Sequence, residues 1–298
     1  MHRPLVSPAG PVRRLLASLV VAAVARLSRR HLRALARFIG RLAWMLGIRR
    51  RVALDNLRYA FPELPEPERR RIARGAFENM ALTALESLTA TAHPDWALDG
   101  FVQWENRELF QRAHQEGKGV LVATAHLGSW ELLGSVLARQ GMPLHAVVRP
   151  LRGAVNELIV RSRLESGLGL IAARGALRGM LRALSRGGVV CMLLDQVMPA
   201  NKGVFVPFFG RPASTTPGLS AAARRTGAPV LVAASIREGD ALRLHLEGPF
   251  PVPQTGDVEA DIRAHTADVT AAIERLIRRH PEQWLWLHRR WKVQPPGN

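Results

Sequence analysis

The chain has 298 residues, of which 47% are hydrophobic, so its composition excludes a disordered protein and allows a sizeable packed core. Lysine and arginine total 42 against 24 aspartates and glutamates. The resulting formal net charge of +18 favours an acidic partner: phospholipid headgroups, a phosphorylated substrate, an acidic carrier protein or nucleic acid. The single cysteine, Cys191, excludes an internal disulfide and a CxxC metal site.

The first 54 residues contain no aspartate or glutamate, and arginines interrupt their apolar runs. This pattern is typical of a segment that contacts a membrane. The run from Leu15 to Leu27 is shorter than the roughly 18 to 20 residues that span a bilayer core, which favours an interfacial or anchoring helix. A signal peptide is the alternative, because small residues stand at Ala23 and Ala25, but the dense arginines that follow disfavour export.

A second amphipathic helix is predicted from His31 to Ile48, where apolar residues recur every three or four positions. The proline-rich stretch from Asn56 to Pro67 breaks this pattern, and a further helix is expected from Glu68 to about Thr91. We therefore expect residues 1–50 to form basic, membrane-associating helices and residues 51–298 to form one catalytic-sized domain.

From Gly119 onward, short apolar runs alternate with helical patterns. The runs are GVLVATA, PLHAVV, GLGLIA, VVCMLL, PVLVAASI and LRLHLEG, and the helices are expected over about 129–139, 155–165, 175–185 and 259–279. Strands that alternate with helices and are apolar on both faces indicate an α/β fold. We expect a mixed, largely parallel sheet flanked by helices.

The C-terminal stretch PEQWLWLHRRWK combines Trp284, Trp286 and Trp291 with three basic residues. Such a mixture suits base stacking with phosphate contacts, an aromatic belt at a membrane interface, or tryptophans packed in a core. Given the basic N-terminus, a membrane is favoured over nucleic acid as the external partner.

The segment HLGSWE places His126 directly after the apolar run GVLVATA and Glu131 five residues later. In open α/β sheets ligands collect at the carboxyl ends of strands, so His126 stands where chemistry is expected. A carboxylate one turn into the next helix can reach back to an imidazole nitrogen. The pair therefore suits a general base, His126, oriented by Glu131.

Other interpretations of this segment stay open. His126 can cap the helix beside a solvated Glu131, and spacing alone does not decide between the two. Zinc catalysis would need three protein ligands, and no further histidine or cysteine stands at partner spacing nearby, so no metal is expected. No G-x-S-x-G elbow occurs, and Lys118 lacks the rest of a phosphate-binding loop.

Several motifs occur in a characteristic order along the chain: NLRYAFPEL, HLGSWE, VVRP, LLDQ, VFVPFFGRPASTTPG, RTGAPV and PEQWLWLHRRWK. In this order they resemble the late, lauroyl/myristoyl acyltransferases of lipid A biosynthesis, within the lysophospholipid acyltransferase superfamily that uses an H-x4-D/E motif. The resemblance implies a bacterial enzyme on the cytoplasmic face of the inner membrane. It would move an acyl chain from acyl carrier protein or acyl-CoA to a hydroxyl of a phosphorylated glycolipid, without a further cofactor.

The resemblance also assigns expected roles to individual residues. His126 matches the family's base and Glu131 its orienting acid. Arg149, Arg163 and Asp195 match positions that the family associates with the active site, and we expect them to bind substrate. Ser129 departs from the usual asparagine of the H-x-G-N-W-E motif, and VMPANKG follows Asp195 where a more polar segment is usual.

The chemistry agrees with this expectation, because a thioester is already activated and needs a base, oxyanion donors and a surface for two acidic substrates. Guanidinium groups suit phosphate because they are planar and permanently charged. The alternatives are an acyltransferase for another glycolipid or a lysophospholipid, such as a phosphatidylinositol mannoside, and a non-catalytic basic protein that binds membranes or nucleic acid.

Overall fold

The computed structural model describes residues 6–7, 10–93, 101–149, 151–152 and 154–295. Pro150 of the VVRP motif and residues 1–5 and 8–9 of the basic N-terminal segment lie outside the described residues. The described helices are α1 Pro11–Val24, α2 Arg29–Met45, α3 Arg50–Ala60, α4 Glu66–Thr89, α5 Arg107–Gln115, α6 Trp130–Arg139, α7 Ala154–Glu165, α8 Ala176–Leu184, α9 Gly218–Thr226 and α10 Val258–Arg279.

The described strands follow the apolar runs of the sequence. They are β1 Val6–Ser7, β2 Val102–Glu105, β3 Val120–Thr124, β4 Leu144–Val148, β5 Leu151–Arg152, β6 Gly169–Ala172, β7 Val189–Leu193, β8 Val204–Phe208, β9 Arg211–Thr215, β10 Val230–Glu238 and β11 Ala241–Glu247. Seven of them form the main sheet in the order β2-β11-β10-β3-β7-β4-β6. Only the β10–β11 pair of this sheet is antiparallel. The predicted α/β fold with a mixed, largely parallel sheet is confirmed.

The sheet has one apolar layer on each face, as strands that are buried on both sides require. One layer unites α8, α9 and α10 with the C-terminal tryptophans, and the other packs α5 and α6 against the opposite side of the strands. The strand β3 contributes to both layers, through Leu121 on one face and Val122 on the other. Its carboxyl end is therefore fixed from both sides.

The C-terminal tryptophans belong to the core. Trp284, Trp286 and Trp291 are buried, and their rings contact Phe208 and Phe209 from the β8–β9 hairpin. Of the interpretations that the sequence left open, the core is confirmed, and the membrane belt and the stacking platform are both wrong. After α10 the chain forms a short 3-10 turn, Pro281–Gln283, and an irregular segment.

The two N-terminal helices are close to the predicted ones. Along α2, Leu32, Ala36, Gly40 and Trp44 are buried every fourth residue, and this stripe faces α4. Gly40 is required there, because a Cβ atom would stand 2.7 Å from the backbone of Glu78. Within the described part of the chain, no helix combines the length and the apolar character needed to cross a bilayer. The domain boundary at residue 50 stays a prediction.

Candidate active site

Two neighbouring parallel strands, β3 and β7, bring His126 and Asp195 together. The register of β3 against β7 pairs Thr124 with Leu193, and both chains continue for two more residues, to His126 and Asp195. The N–H of Leu194 donates to the carbonyl of Thr124 at 3.0 Å and extends this register beyond the strands. Parallel strands end at the same edge of a sheet, so the two side chains meet there.

Asp195 holds the imidazole of His126 at two points. The ring Nδ1 lies 2.8 Å from Oδ1 of Asp195, and the backbone N–H of His126 donates to Oδ2 at 2.9 Å. A carboxylate only accepts, so Nδ1 carries the proton and Nε2 of the neutral ring is an acceptor. The side-chain amide of Gln196 donates to that Nε2 at 3.1 Å.

The environment of Asp195 keeps it ionised. Its side chain is only 2% exposed. Burial would raise the pKa of this carboxyl, but three features outweigh burial and lower the pKa to about 2: the positive charge of His126 when it is protonated, its hydrogen bonds, and the Trp284 indole N–H, 2.8 Å from Oδ2. At neutral pH the site therefore contains an ionised carboxylate at Nδ1 of a histidine whose Nε2 is an acceptor.

Glu131 has a different partner from the predicted one. Its carboxylate forms a two-point ion pair with Arg163 of α7, in which Nε donates at 3.0 Å and a terminal nitrogen donates to the other oxygen. The Trp130 indole N–H also donates to it at 3.2 Å. The expected contact between Glu131 and the imidazole is thus wrong, because Asp195 occupies Nδ1 and Glu131 turns towards α7. Trp130 links the two pairs, since its ring lies 5.0 Å from the His126 ring.

The remaining predicted residue, Arg149, stands apart from both pairs. It is exposed after β4, two strands along the sheet from β3, and a terminal nitrogen lies 2.9 Å from the sulfur of Met198. The structure therefore joins His126 with Asp195 and Glu131 with Arg163, and it leaves Arg149 at the same edge of the sheet.

The loop after His126 is held by backbone bonds from two directions. The N–H of Gly128 donates to Gln283 and that of Ser129 donates to Ser235, at 3.0 and 2.8 Å, while the carbonyl of His126 accepts from Leu285 at 3.1 Å. Gly128 has a φ of +64°, and a Cβ atom there would stand 1.6 Å from the Ser235 carbonyl oxygen. Glycine is therefore required at this position of HLGSWE.

A buried ion pair also supports the loop that follows His126. Arg237 of β10 is paired with Glu86 of α4, and their side chains are 11% and 7% exposed. The guanidinium also donates to the Gly128 carbonyl at 2.9 Å and to the Ser129 hydroxyl at 2.9 Å. Ser129 in turn donates to Glu86 at 2.7 Å, so the departure from the family's asparagine forms part of this network.

Sequence reasoning missed several residues of the site. They are Glu86, Gln196, Arg237, Trp284 and His288. The partner of each lies on another element of the fold, so no local spacing in the sequence marks it. His288 accepts the N–H of Val197 at 3.1 Å, and burial lowers its pKa to about 4, so the ring stays neutral. The motif PEQWLWLHRRWK was the available signal for Trp284 and His288.

An apolar cavity of about 100 Å³ is bounded by Trp130, whose ring also contacts the ring of His126. Trp130, Glu131 and Arg163 belong to its wall, and the rest is mostly aliphatic, including Leu133, Leu137, Leu144 and Leu246. Cys191 also lines it, and burial raises the pKa of this thiol to about 12, so it stays protonated and is a poor nucleophile. The apolar wall of the cavity suits part of a hydrocarbon chain.

Comparisons with known proteins identify the class of this protein as an acyltransferase. Residues 12–293 match the model of the bacterial lipid A biosynthesis acyltransferases, and the chain belongs to this family. The family resemblance predicted from the motifs is therefore confirmed.

Individual relatives cover most of the chain. It is 31% identical over 251 residues to the lipid A biosynthesis palmitoleoyltransferase of Escherichia coli (strain K12), which is 84% of this chain and 80% of that enzyme. It is 30% identical over 264 residues to the lauroyltransferase of the same strain, 87% and 84% of the two chains. The corresponding myristoyltransferase is 25% identical over 267 residues, 87% and 80%. The protein is thus an acyltransferase of lipid A biosynthesis, with an acyl donor and a lipid A-type acceptor.

Proposed function

We propose that the protein transfers an acyl chain from a thioester, carried by acyl carrier protein or coenzyme A, to a hydroxyl of a phosphorylated lipid A precursor. The observation that carries this proposal is the His126–Asp195 pair, which makes Nε2 of His126 an acceptor and lies next to Trp130 in the wall of the apolar cavity. Asp195 changes from an expected substrate ligand to the residue that orients the base.

The reaction follows from that tautomer. The acceptor hydroxyl replaces Gln196 at Nε2 and gives its proton to His126 as its oxygen attacks the thioester carbonyl carbon. The C–S bond of the resulting tetrahedral intermediate then breaks, and the imidazolium returns the proton to the leaving thiolate. Asp195 stabilises the imidazolium between these steps without itself taking the proton. No covalent acyl-enzyme and no further cofactor are required.

Glu131 acts in this proposal by positioning Arg163. The ion pair uses Nε and one terminal nitrogen of Arg163, so the other terminal nitrogen is the group available to an oxygen of the substrate. Arg163 and Arg149 both stand at the edge of the sheet where the acceptor would bind, and both suit its phosphates. The acyl chain would occupy the cavity behind Trp130.

We also propose that α1 and α2 lie on the cytoplasmic face of the bacterial inner membrane. Opposite the buried stripe of α2, a second apolar stripe is exposed: Phe38, Leu42, Met45 and Leu46, with arginines between the two stripes. Leu15, Leu19 and Val20 of α1 are exposed as well. An amphipathic helix with apolar and basic residues on its free surface is typical of an interfacial anchor.

The test of the proposed reaction is acyl transfer in detergent from labelled acyl carrier protein to a tetra-acylated, Kdo-bearing lipid A precursor. We expect His126→Ala to lower transfer by about 10²-fold or more, because the base is lost. His114→Ala, which removes an exposed histidine of α5, is the matched control and should retain wild-type transfer.

Acceptors and donors are then exchanged to separate the alternatives. Transfer to a lysophospholipid or to a phosphatidylinositol mannoside, but not to the lipid A precursor, would show that this other lipid is the acceptor. Wild-type rates in His126→Ala would remove the base from the mechanism. Salt-dependent nucleic-acid binding without any acyl transfer would support a non-catalytic basic protein instead.

A further inference from the structure

A concave basic surface lies on α8 and shares no lining residue with the apolar cavity. The open groove of about 1080 Å³ is lined by five arginines: Arg174, Arg178, Arg182, Arg186 and Arg225. The first four recur every fourth residue through and around α8, and Arg225 reaches the groove from α9. Residues four apart on a helix share a face, so Arg178 and Arg182 point the same way. All five arginines are exposed.

No carboxylate is found among the described residues that line this basic groove. From Ser166 to Arg237 the sequence contains one acidic residue, Asp195, which is buried against His126. Elsewhere on the surface arginines are commonly paired, as Arg71 is with Glu68 and Arg278 with Glu274. Among the ion pairs of the described residues, none involves an arginine of the groove. Five uncompensated like charges around one concavity repel each other, and an acidic partner would relieve that repulsion.

The shape of the groove favours a protein over a bilayer as that partner. A lipid surface is nearly flat and would meet a protruding face, whereas a concavity of this volume accepts a protruding helix. The exposed apolar stripe that suits a membrane lies on α2, which packs on α4, while α8 packs on β6, β7 and α9. The wall of the groove also contains Leu170, Leu177 and Leu181, which can pack against the apolar residues of an acidic helix.

The groove is also within reach of the proposed chemistry. Arg174 follows β6 at its carboxyl end, the same edge at which His126 follows β3. Three spacings between neighbouring strands separate β6 from β3, about 14 Å in all. An extended phosphopantetheine arm can cross this distance from a carrier seated on α8.

From these observations we infer that the α8 groove docks an acidic helix of the acyl carrier protein that brings the thioester. This inference rests on the proposed function, which leaves open whether the donor is a carrier protein or coenzyme A. It selects the carrier protein, since five arginines exceed what one coenzyme A needs and extend along a whole helix.

The experiment compares two double variants of the full chain in detergent. Arg178→Glu/Arg182→Glu reverses two charges in the groove, and Arg112→Glu/Arg263→Glu makes the same change in net charge at exposed positions of α5 and α10. Transfer is measured from acyl carrier protein and from acyl-pantetheine, which lacks the protein. Binding of fluorescently labelled acyl carrier protein is followed separately by anisotropy, without turnover.

We expect the groove variant to raise the KM for acyl carrier protein about tenfold and to weaken its binding by a similar factor. Its kcat, and its transfer from acyl-pantetheine, should stay within about twofold of wild type, as should every property of the control variant.

An unchanged KM and unchanged carrier binding in the groove variant would overturn the inference. An equal loss with both donors would also overturn it, because the damage would then lie in the fold or the active site. Lost binding to vesicles containing phosphatidylglycerol, with carrier binding intact, would assign the groove to lipid. If wild type transfers from neither donor, the proposed function fails, while the anisotropy titrations still decide the docking surface.

Discussion

Asp195 and Glu131 are the two carboxylates of the proposed site, and their different partners, His126 and Arg163, predict different kinetic roles. Asp195→Asn keeps the size of the side chain but removes the charge that fixes the Nδ1–H tautomer, so we expect kcat to fall about 10²- to 10⁴-fold. Glu131→Gln weakens the hold on Arg163 and should mainly raise the KM for the acceptor. Steady-state rates with a fixed donor and varied acceptor measure both effects. A larger kcat loss in Glu131→Gln than in Asp195→Asn would restore Glu131 as the orienting acid.

Asp195→Asn should also change the stability of the protein in acid. The pKa of Asp195 is about 2 in the folded protein and about 3.9 for an unfolded chain, so the carboxylate stabilises the fold above about pH 4, and this contribution is lost as pH falls towards 2. Between about pH 5 and pH 2, wild type should therefore lose about 2 kcal/mol more unfolding free energy than Asp195→Asn. Urea unfolding across this range measures the difference, and parallel pH curves for the two proteins would contradict it.

At the scale of single elements, α2 has two apolar stripes with different partners. One stripe packs on α4, and the other exposes Phe38 and Met45, whose exposed fractions are 64% and 75%. If the second stripe enters a membrane, Met45→Asp should weaken vesicle binding about tenfold, because it replaces an apolar side chain that the bilayer would bury with a charged one. Flotation with vesicles of phosphatidylethanolamine and phosphatidylglycerol measures the bound fraction.

The control for this prediction is Val258→Asp, which places the same charge on an exposed apolar residue in the first turn of α10. It should leave flotation unchanged. Equal losses in both variants would point to a general charge effect, and no loss in Met45→Asp would place the membrane contact on another surface, with α1 the next candidate.

Elements with strong periodicity could be predicted from the sequence, and those defined by tertiary pairing could not. The helix expected over 129–139 is α6, and the run VVCMLL is β7, because each combines a clear pattern with turn residues at its ends. The β8–β9 hairpin was missed. Pro207 and Pro212 stand opposite each other in it, and prolines argue against a strand unless it lies outside a central ladder. The break expected from Asn56 begins only after Ala60, where α3 ends.

The candidate site shows the same limit. The sequence marked His126 and Asp195 separately, each at the end of an apolar run, but their contact depends on β7 lying next to β3 in a particular register. Strand order is a property of the whole sheet, and several orders are compatible with the same alternation of strands and helices. Glu131 was the nearer carboxylate in the chain, so local spacing favoured it. The direction of its side chain is decided by Arg163, 32 residues away.

At the scale of the whole molecule, the Arg237–Glu86 pair joins α4 to strand β10 of the sheet and to the loop that follows His126. Arg237 donates to Thr83 and Asn79 of α4 in addition to Glu86, and to the carbonyl of Gly128. The guanidinium thus connects α4, β10 and the residues that follow His126. A loss at this point should affect global stability and catalysis together.

We expect Arg237→Met to cost about 3 to 5 kcal/mol of unfolding free energy, because it leaves Glu86 buried without its charge partner. The double variant Arg237→Met/Glu86→Met removes both charges and should cost less than the sum of the two single variants. Urea unfolding of the four proteins closes the cycle, and Arg161→Met, in the exposed pair with Glu165, should change stability by no measurable amount. Transfer should fall in all three Arg237 and Glu86 variants, since the Gly128–Ser129 backbone loses its support. Additive costs would show that Arg237 and Glu86 do not stabilise each other. Full transfer in Arg237→Met would show that the C-terminal segment alone positions His126.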